Sequence, residues 1–231
     1  MGRALISGLL ANGFNASQIS VVEANAATAQ NLQNDFKVQI IGALENIAFD
    51  FAKNNVVVMA IKPQDFNVVA KGLAPKLKHA SAPSPLVLSI AAGIRLADMS
   101  RWIDHTRCVR AMPNTPALIG KGITGLYANA NISPEDRALA ETICNAVGQA
   151  VWVSEEKLMD AVTAVSGSGP AYVFAFLEAM QSAGEKLGLD AQAARKLAYA
   201  TLEGAIQLAQ NSSEPASVLR ERVTSKGGTT A

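Results

Sequence analysis

The sequence predicts a mostly parallel, doubly wound α/β domain over residues 1–153 and an all-α region over residues 154–231. Three observations carry that reading. Uninterrupted apolar runs such as Val56–Val57–Val58–Met59–Ala60–Ile61 and Leu86–Val87–Leu88–Ser89–Ile90 have the pattern of strands covered on both faces, as parallel sheets require. Stretches with helical apolar spacing alternate with these runs across short connections. From Ser154 onward only helical patterns occur.

The elements follow in order. Met1 to Leu10 has helical spacing, and Gly13 closes it. Ile19, Val21 and Val22 form a short strand, Thr28 to Phe36 a helix, Val38 to Ile40 a strand, and Glu45 to Ala52 a helix. The Val56 run stops at Lys62–Pro63; a helix is expected over Asp65–Lys78, then the Leu86 strand ending in Ala91–Ala92–Gly93. A helix from Leu96 to Ile103 leads into a strand at Arg107–Ala111, and Gly125–Asn129 offers a weaker strand. At Ser133–Pro134–Glu135–Asp136 a helix starts, with Ser133 as cap, Pro134 at the first helical position and Asp136 placed to complete a capping box. That helix runs to Val147, and Val151–Val153 is the last strand. Helical patterns then occupy Glu155–Val165, Ala171–Leu187, Ala191–Gln210 and Pro215–Val223, with Gly188 and Asp190 as stop and cap. A Rossmann-like unit begins with a strand and a glycine-rich turn ahead of its first helix. This chain begins on the helix and stops at Gly227–Gly228–Thr229–Thr230–Ala231, so a first strand and the last helices are expected outside the given sequence.

Composition excludes several classes of function. A chain of 231 residues with 49% hydrophobic and 17% charged content fills a real core and is too apolar for a disordered segment. A net charge of +1 gives no field toward nucleic acid or acidic membranes, so neither is expected as a partner. The densest basic group, Arg101, Arg107 and Arg110, is interrupted by Asp98 and Asp104 and reads as a solvated helix face followed by a strand. Cys108 and Cys144 make no disulfide scaffold, and with only His79 and His105 beside them no metal site is expected. No signal-peptide pattern opens the chain, and apolar stretches are broken before membrane-spanning length. A cytoplasmic location is the expectation.

Candidate sites cluster at the ends of elements. Met1–Gly2–Arg3–Ala4 stands where a helix N-terminus would meet a pyrophosphate, with ordinary helix packing as the alternative. Glu23, at the end of the second strand expected of such a unit, has the position that accepts from the ribose hydroxyls of NAD, while Asn25 can donate to a 2′-phosphate; no arginine stands there to claim one. Ala60, Lys62 and Pro63 follow a central strand at its carboxyl end, the edge where such folds bind ligands, although a routine strand stop has the same look. Ala91, Ala92 and Gly93 leave room for a nicotinamide ring or for close packing. Pro113 and Pro116 bracket Asn114 and Thr115 in a stiff turn, able to orient a carboxamide or carboxylate or to serve only as a turn. Ser166–Gly167–Ser168–Gly169–Pro170 and Ser225–Lys226–Gly227–Gly228–Thr229–Thr230 gather hydroxyl and amide donors suited to a small carboxylate. Neither loop holds the partner residues of a hydrolytic serine.

Taken together, Met1–Gly2–Arg3–Ala4, Ile61–Lys62–Pro63, Ser89–Ile90–Ala91–Ala92–Gly93, Arg110–Ala111–Met112–Pro113–Asn114–Thr115–Pro116, Ala164–Tyr172 and Val223–Thr230 stand in the order of the pyrroline-5-carboxylate reductases, which the whole chain resembles. The resemblance implies reduction of 1-pyrroline-5-carboxylate to proline, the last step of proline biosynthesis. NADPH is the cofactor it implies, with NADH as the alternative. It also implies a homodimer or larger homo-oligomer joined through the all-α region. Thr230 is then the residue beside the imine nitrogen, and Ser166, Gly167, Ser168, Gly169, Ser225, Gly227, Gly228 and Thr229 hold the substrate carboxylate. Met1, Gly2, Asn25, Ala60, Lys62, Pro63, Ala91, Ala92, Gly93, Asn114 and Thr115 meet the cofactor. The chain departs from the pattern at Lys226, where the family has proline, which loosens that turn. Two other readings remain. A related imine or β-hydroxyacid dehydrogenase would use a lysine after the boundary, for which Lys157 is the candidate, and a non-catalytic nucleotide-binding dimer would bind without turnover.

Overall fold

The computed structural model describes residues 1–51, 55–78, 84–224 and 227–228. Helix α1 (Gly2–Ala11) precedes β1 (Ser20–Val22), α2 (Ala26–Phe36) and β2 (Gln39–Ile41). Next come β3 (Val56–Met59), α3 (Pro63–Leu73), β4 (Leu86–Ser89), α4 (Leu96–Ile103), β5 (Cys108–Met112), β6 (Gly122–Tyr127), α5 (Pro134–Asn145) and β7 (Gly148–Trp152). Strands β1 and β2 pair in parallel as a sheet of their own; the other sheet has the order β3-β4-β5-β6-β7. Pairing in it is parallel except between β5 and β6.

Alternate residues of the central strands enter different cores. Leu86, Leu88 and Val109 pack with Leu5 of α1 and Ile143 of α5, whereas Val87 and Cys108 pack with Phe66 of α3 and Met99 of α4. The sheet is therefore covered on both faces, which explains the unbroken apolar runs. Leu5 faces the large core while its neighbour Ile6 packs with Leu32 and Val38, so α1 joins the five-stranded sheet to the β1–β2 unit. Gly8 lets α1 approach α5 closely, since a Cβ there would stand 2.4 Å from the Ala146 carbonyl oxygen.

Four expectations need correction. The helix over Glu45–Ala52 is absent over its described residues: only a 3₁₀ turn at Leu44–Asn46 forms. From Ile47 to Asp50 burial alternates residue by residue, with Ile47 and Phe49 against the core, and that period belongs to extended chain. The helix expected to Lys78 ends at Leu73 and tightens to 3₁₀ at Ala74–Lys76, because Pro75 has no N–H to continue it. Of the strand expected at Gly125–Asn129 only Gly125–Tyr127 form, as the second half of a longer strand, β6, which runs antiparallel to β5. Ser133 caps α5 through Asp136 N–H at 3.1 Å, but the Asp136 carboxylate, instead of closing a capping box, clasps Arg107.

After β7 the chain forms α6 (Leu158–Val162), which passes directly into a π-helical turn at Thr163–Gly167. These still pack on the sheet: Met159 is fully buried, and Val162 lies where a Cβ on Gly125 would be 2.5 Å away. The compact units accordingly divide at Pro170/Ala171, later than the change of composition at Ser154. The second unit carries α7 (Gly169–Lys186, which starts in the last residues of the first unit), α8 (Ala191–Gln210) and α9 (Ala216–Val223). Inside it Gly184 receives Ala194 of α8, with 3.2 Å left for a Cβ. Phe174, Phe176, Leu187, Leu197 and Leu208 remain exposed on its surface.

Candidate functional site

Strands β3, β4 and β5 are parallel, with Met59 opposite Ser89 and Ser89 opposite Arg110, so their carboxyl ends lie side by side. The turns that leave them, Ala60–Pro63, Ile90–Gly93 and Pro113–Thr115, share one edge of the sheet. Helix α1 brings its N-terminus to the same edge, where a Cβ on Gly2 would meet the Ala60 Cβ at 3.4 Å. Met1 is the N-cap and gives no side-chain cap; the first intrahelical bond runs from Leu5 N–H to its carbonyl. The N–H groups of Gly2, Arg3 and Ala4 thus have no acceptor within the helix, and they carry the positive end of its dipole. Lys62, the exposed N-cap of α3, adds a cation with no carboxylate partner among the described residues, and Pro63 sets the first helical position. Unpaired N–H groups, the positive end of a helix dipole and a cation at one edge are features that favour an anion.

The neighbouring turns are shaped for close approach. Buried Ser89 accepts the Ala91 N–H through its Oγ at 3.2 Å, bending the chain as it leaves β4. Ala91 is buried in the core, while Ala92 and Gly93 are exposed, and Gly93 has φ 76°, a conformation that favours glycine. Asn114 is buried, and its Oδ1 accepts from Ile123 N–H at 2.9 Å, tying the start of β6 to the end of β5. Its carbonyl is committed to the fold, and only its amide N–H groups remain for a ligand. Thr115 is exposed at the start of a 3₁₀ turn.

The Ser166–Gly169 segment reaches this edge as well. It is not the loop the sequence suggests but the π-helical turn and the first residue of α7. Gly167 packs on Met112 at the end of β5, so closely that a Cβ would come 2.8 Å from the methionine Cε. Ser166 Oγ donates to the Val162 carbonyl at 3.1 Å and Ser168 N–H to the Thr163 carbonyl at 2.8 Å. The half-buried Ser168 hydroxyl has no partner among the described residues.

The remaining expected residues lie elsewhere. Asn25 caps α2, accepting from Thr28 N–H at 2.9 Å, while its own N–H donates to Glu23 Oε1 at 2.9 Å. Glu23, Ala26, Gln33 and Gly42 help to line a depression of about 290 Å³. Gly227 and Gly228 are exposed in the second unit, Gly227 with φ 80°. Ser225, Thr229 and Thr230 lie outside the described residues, as does Lys226. Lys157 is on the exposed surface, paired with Glu155 at 2.7 Å, which leaves it in solvent rather than in a pocket. Burial pushes the Cys108 thiol to about 11 and the Cys144 thiol to about 12, so neither is a nucleophile near neutrality. Among the described residues no group of His, Cys, Asp and Glu could hold a metal, and no helix is long and apolar enough to cross a membrane.

Sequence reasoning missed one pair. Glu156 Oε1 accepts from Leu96 N–H at 2.6 Å and from the Arg110 guanidinium at 3.1 Å. Arg110 is buried within the strand that follows the solvated helix face. The signal was its place inside an otherwise apolar strand, where a charge needs a partner.

The chain is similar to known proteins throughout its length. The family model "Pyrroline-5-carboxylate reductase dimerisation" matches residues 156–231, and "NADP oxidoreductase coenzyme F420-dependent" matches residues 1–93. A pyrroline-5-carboxylate reductase of Pseudomonas aeruginosa is 44% identical over 231 residues, covering 100% of this chain and 82% of the relative. The solved pyrroline-5-carboxylate reductase of Coxiella burnetii superposes with a TM-score of 0.89 at 36% identity, over 99% of this chain and 83% of that one. A Plasmodium falciparum pyrroline carboxylate reductase, solved with NADP bound, gives 0.83 at 28% identity, over 100% of this chain and 82% of that one.

Proposed function

This chain belongs to the pyrroline-5-carboxylate reductase family, and from that premise we propose that it reduces 1-pyrroline-5-carboxylate to proline with a nicotinamide dinucleotide. The observation that carries the reading is the convergence of Gly2, Lys62, Ala92–Gly93, Asn114–Thr115 and Gly167 on one sheet edge, although they are scattered through the sequence. When bound, the nicotinamide supplies the hydride that adds to the C=N carbon, whose nitrogen takes up the electron pair.

The chain's own residues then bind, orient and exclude water. The first turn of α1 and Lys62 hold the pyrophosphate, and their unpartnered N–H groups and free cation fit that charge. Ala92 and Gly93 admit a flat ring at the exit of β4, and the Asn114 amide and Thr115 hydroxyl orient its carboxamide. Met1, Ala60, Pro63 and Ala91 frame this cradle. Ser168 and the backbone of Gly167 and Gly169 hold the substrate carboxylate; by their motif alone, Ser225, Gly227, Gly228 and Thr229 are assigned as further substrate-binding residues. Ser166 serves by fixing the turn, since its hydroxyl proton is already donated to Val162. Thr230 accepts from the protonated imine nitrogen, so no strong protein acid is needed; the substrate enters as the iminium. NADPH is the preferred cofactor: the Asn25 amide nitrogen has no partner among the described residues, while one oxygen of Glu23 is taken by the Asn25 N–H. The exposed Phe174, Phe176, Leu197 and Leu208 support a homodimer or larger homo-oligomer formed through the helical unit.

Oxidation of NADPH and of NADH in the presence of the cyclic imine tests the assignment directly. Turnover with both, faster with NADPH, is expected. Thr230→Val should keep assembly and lower turnover roughly ten- to a hundredfold, about 1.4–2.7 kcal/mol of transition-state stabilisation. Absence of imine-dependent oxidation in the full-length enzyme would remove the assignment; an unchanged rate in its valine variant would remove only the role of Thr230.

A further inference from the structure

We propose that Glu156 is a positioning residue: its carboxylate locks the π-helical turn of Ser166–Gly169 in register with the turns that leave β4 and β5. The proposal rests on the reductase reading of that edge.

One oxygen makes the lock. Glu156 Oε1 receives Leu96 N–H at 2.6 Å and Arg110 Nη1–H at 3.1 Å. Leu96 opens the helix that follows the Gly93 turn, and its N-cap Arg95 supplies no side-chain cap, so the missing acceptor comes from far along the chain. Arg110 is the last charged residue before the Asn114 turn, with its side chain only 8% exposed. A guanidinium there requires a counter-charge. Asp98, the acidic residue in the first turn of α4, bonds Arg101 instead, at 2.6 Å.

The third segment is the one Glu156 itself begins. From it the chain runs through α6 without a break into the π-turn that packs on Met112. Extra-residue turns of this kind are commonly found at functional sites, and they owe their setting to their surroundings. The sheet contacts of α6, Met159 and Val162, fix its distance from the sheet. They are apolar and permit sliding along the helix axis. The Glu156 bonds are directional, and they fix the remaining degree of freedom. The two sides joined are those that hold the hydride donor and the hydride acceptor, where a displacement of about 1 Å can cost on the order of a hundredfold in rate.

Removing Glu156 alone strands a buried guanidinium, so the decisive variant is Glu156→Met combined with Arg110→Met, which deletes the pair and refills its volume. It should fold and bind cofactor within about threefold of the parent while kcat falls roughly tenfold or more. With C4-deuterated cofactor its kinetic isotope effect should exceed the parent's, because hydride transfer becomes limiting, a change that weakened stability alone does not produce. Glu156→Gln keeps an oxygen for both donors but removes the charge that balances Arg110, so it should lower stability while keeping most of the parent's rate. A double variant with the parent's kcat and isotope effect, in an enzyme that does turn over the imine, overturns the lock. Amide exchange at Ser168, bonded to the Thr163 carbonyl at 2.8 Å, judges it without any substrate. Faster exchange in the double variant supports the lock, and unchanged exchange counts against it even if the parent proves inactive.

Discussion

The two ends of the five-stranded sheet use similar polar residues in opposite ways. At the end where β4 and β5 begin, Arg107 donates to Asp136 Oδ1 at 2.5 Å and Oδ2 at 3.0 Å and also to the Ser84 carbonyl, and His105 Nε2 bonds the Pro85 carbonyl at 2.8 Å. The charged and ring donors named here are already satisfied by protein. At the end where β3, β4 and β5 finish, the Lys62 cation, the Ser168 hydroxyl and the first N–H groups of α1 have no protein acceptor among the described residues. Donors that the fold does not use are available to a ligand, whereas donors that it does use hold strands in place. On the proposed reading, the difference separates stability from function along one set of strands.

The largest effect should come from breaking the satisfied end. Asp136 has a side chain only 5% exposed, while that of Arg107 is 32% exposed. Asp136→Ala leaves the guanidinium half-stranded, and the expected loss is about 2–3 kcal/mol, below the ~3–5 of a fully buried pair because water still reaches Arg107. Thermal or urea unfolding reads it. Cofactor affinity of the protein that remains folded should be unchanged. A parallel loss of affinity would mean that the two ends are not independent.

Much of this division was legible in the sequence. The runs at Val56 and Leu86 gave the central strands because burial on both faces leaves no alternation to misread. Ser133 and Asp190 marked helix starts that the structure has, each accepting a first-turn N–H. The Glu45–Ala52 segment was misread: Ile47, Phe49 and Phe51 recur at the two-residue period of extended chain, and Ile47 and Phe49 are indeed the residues packed against the neighbouring core. The direction of β6 could not be read locally, since an apolar strand has the same pattern in either sense. At the candidate site, small residues and prolines marked the turns that leave β3, β4 and β5 but not which distant segments meet there: Gly167 against Met112 and Glu156 with Arg110 are contacts between distant segments. Ser225, Thr229 and Thr230 rest on motif alone.

A middle-sized effect is expected at the unsatisfied end. Lys62→Met removes the cation but keeps the length of the stem, on an exposed helix cap. Cofactor affinity should fall roughly tenfold, about 1.4 kcal/mol, with stability within about 0.5 kcal/mol of the parent. Raising ionic strength should weaken parent binding more than variant binding, because screening acts on the charge that the variant lacks. An unfolding midpoint that moved while affinity stayed constant would place Lys62 with the structural residues instead.

The smallest effect concerns pH and returns to the satisfied end. Burial is the main cause that holds the His105 imidazole below its ordinary value of 6.5, and nearby Arg107 pushes the same way; the Pro85 carbonyl and Asp136 oppose them. The unfolded chain therefore takes up a proton near pH 6.5 that the folded chain refuses until lower pH. Stability from this group is present above that value, declines as pH falls toward the depressed folded value, and then levels off. His105→Gln keeps an N–H donor for the Pro85 carbonyl but does not titrate. Thermal midpoints followed downward from about pH 8 should fall more steeply for the parent than for the glutamine variant as pH passes through the histidine range. Parallel curves would show that His105 is charged in both states or neutral in both. Cofactor affinity should give the same pH profile in parent and variant, because His105 stands at the end of the sheet opposite Lys62 and the first turn of α1.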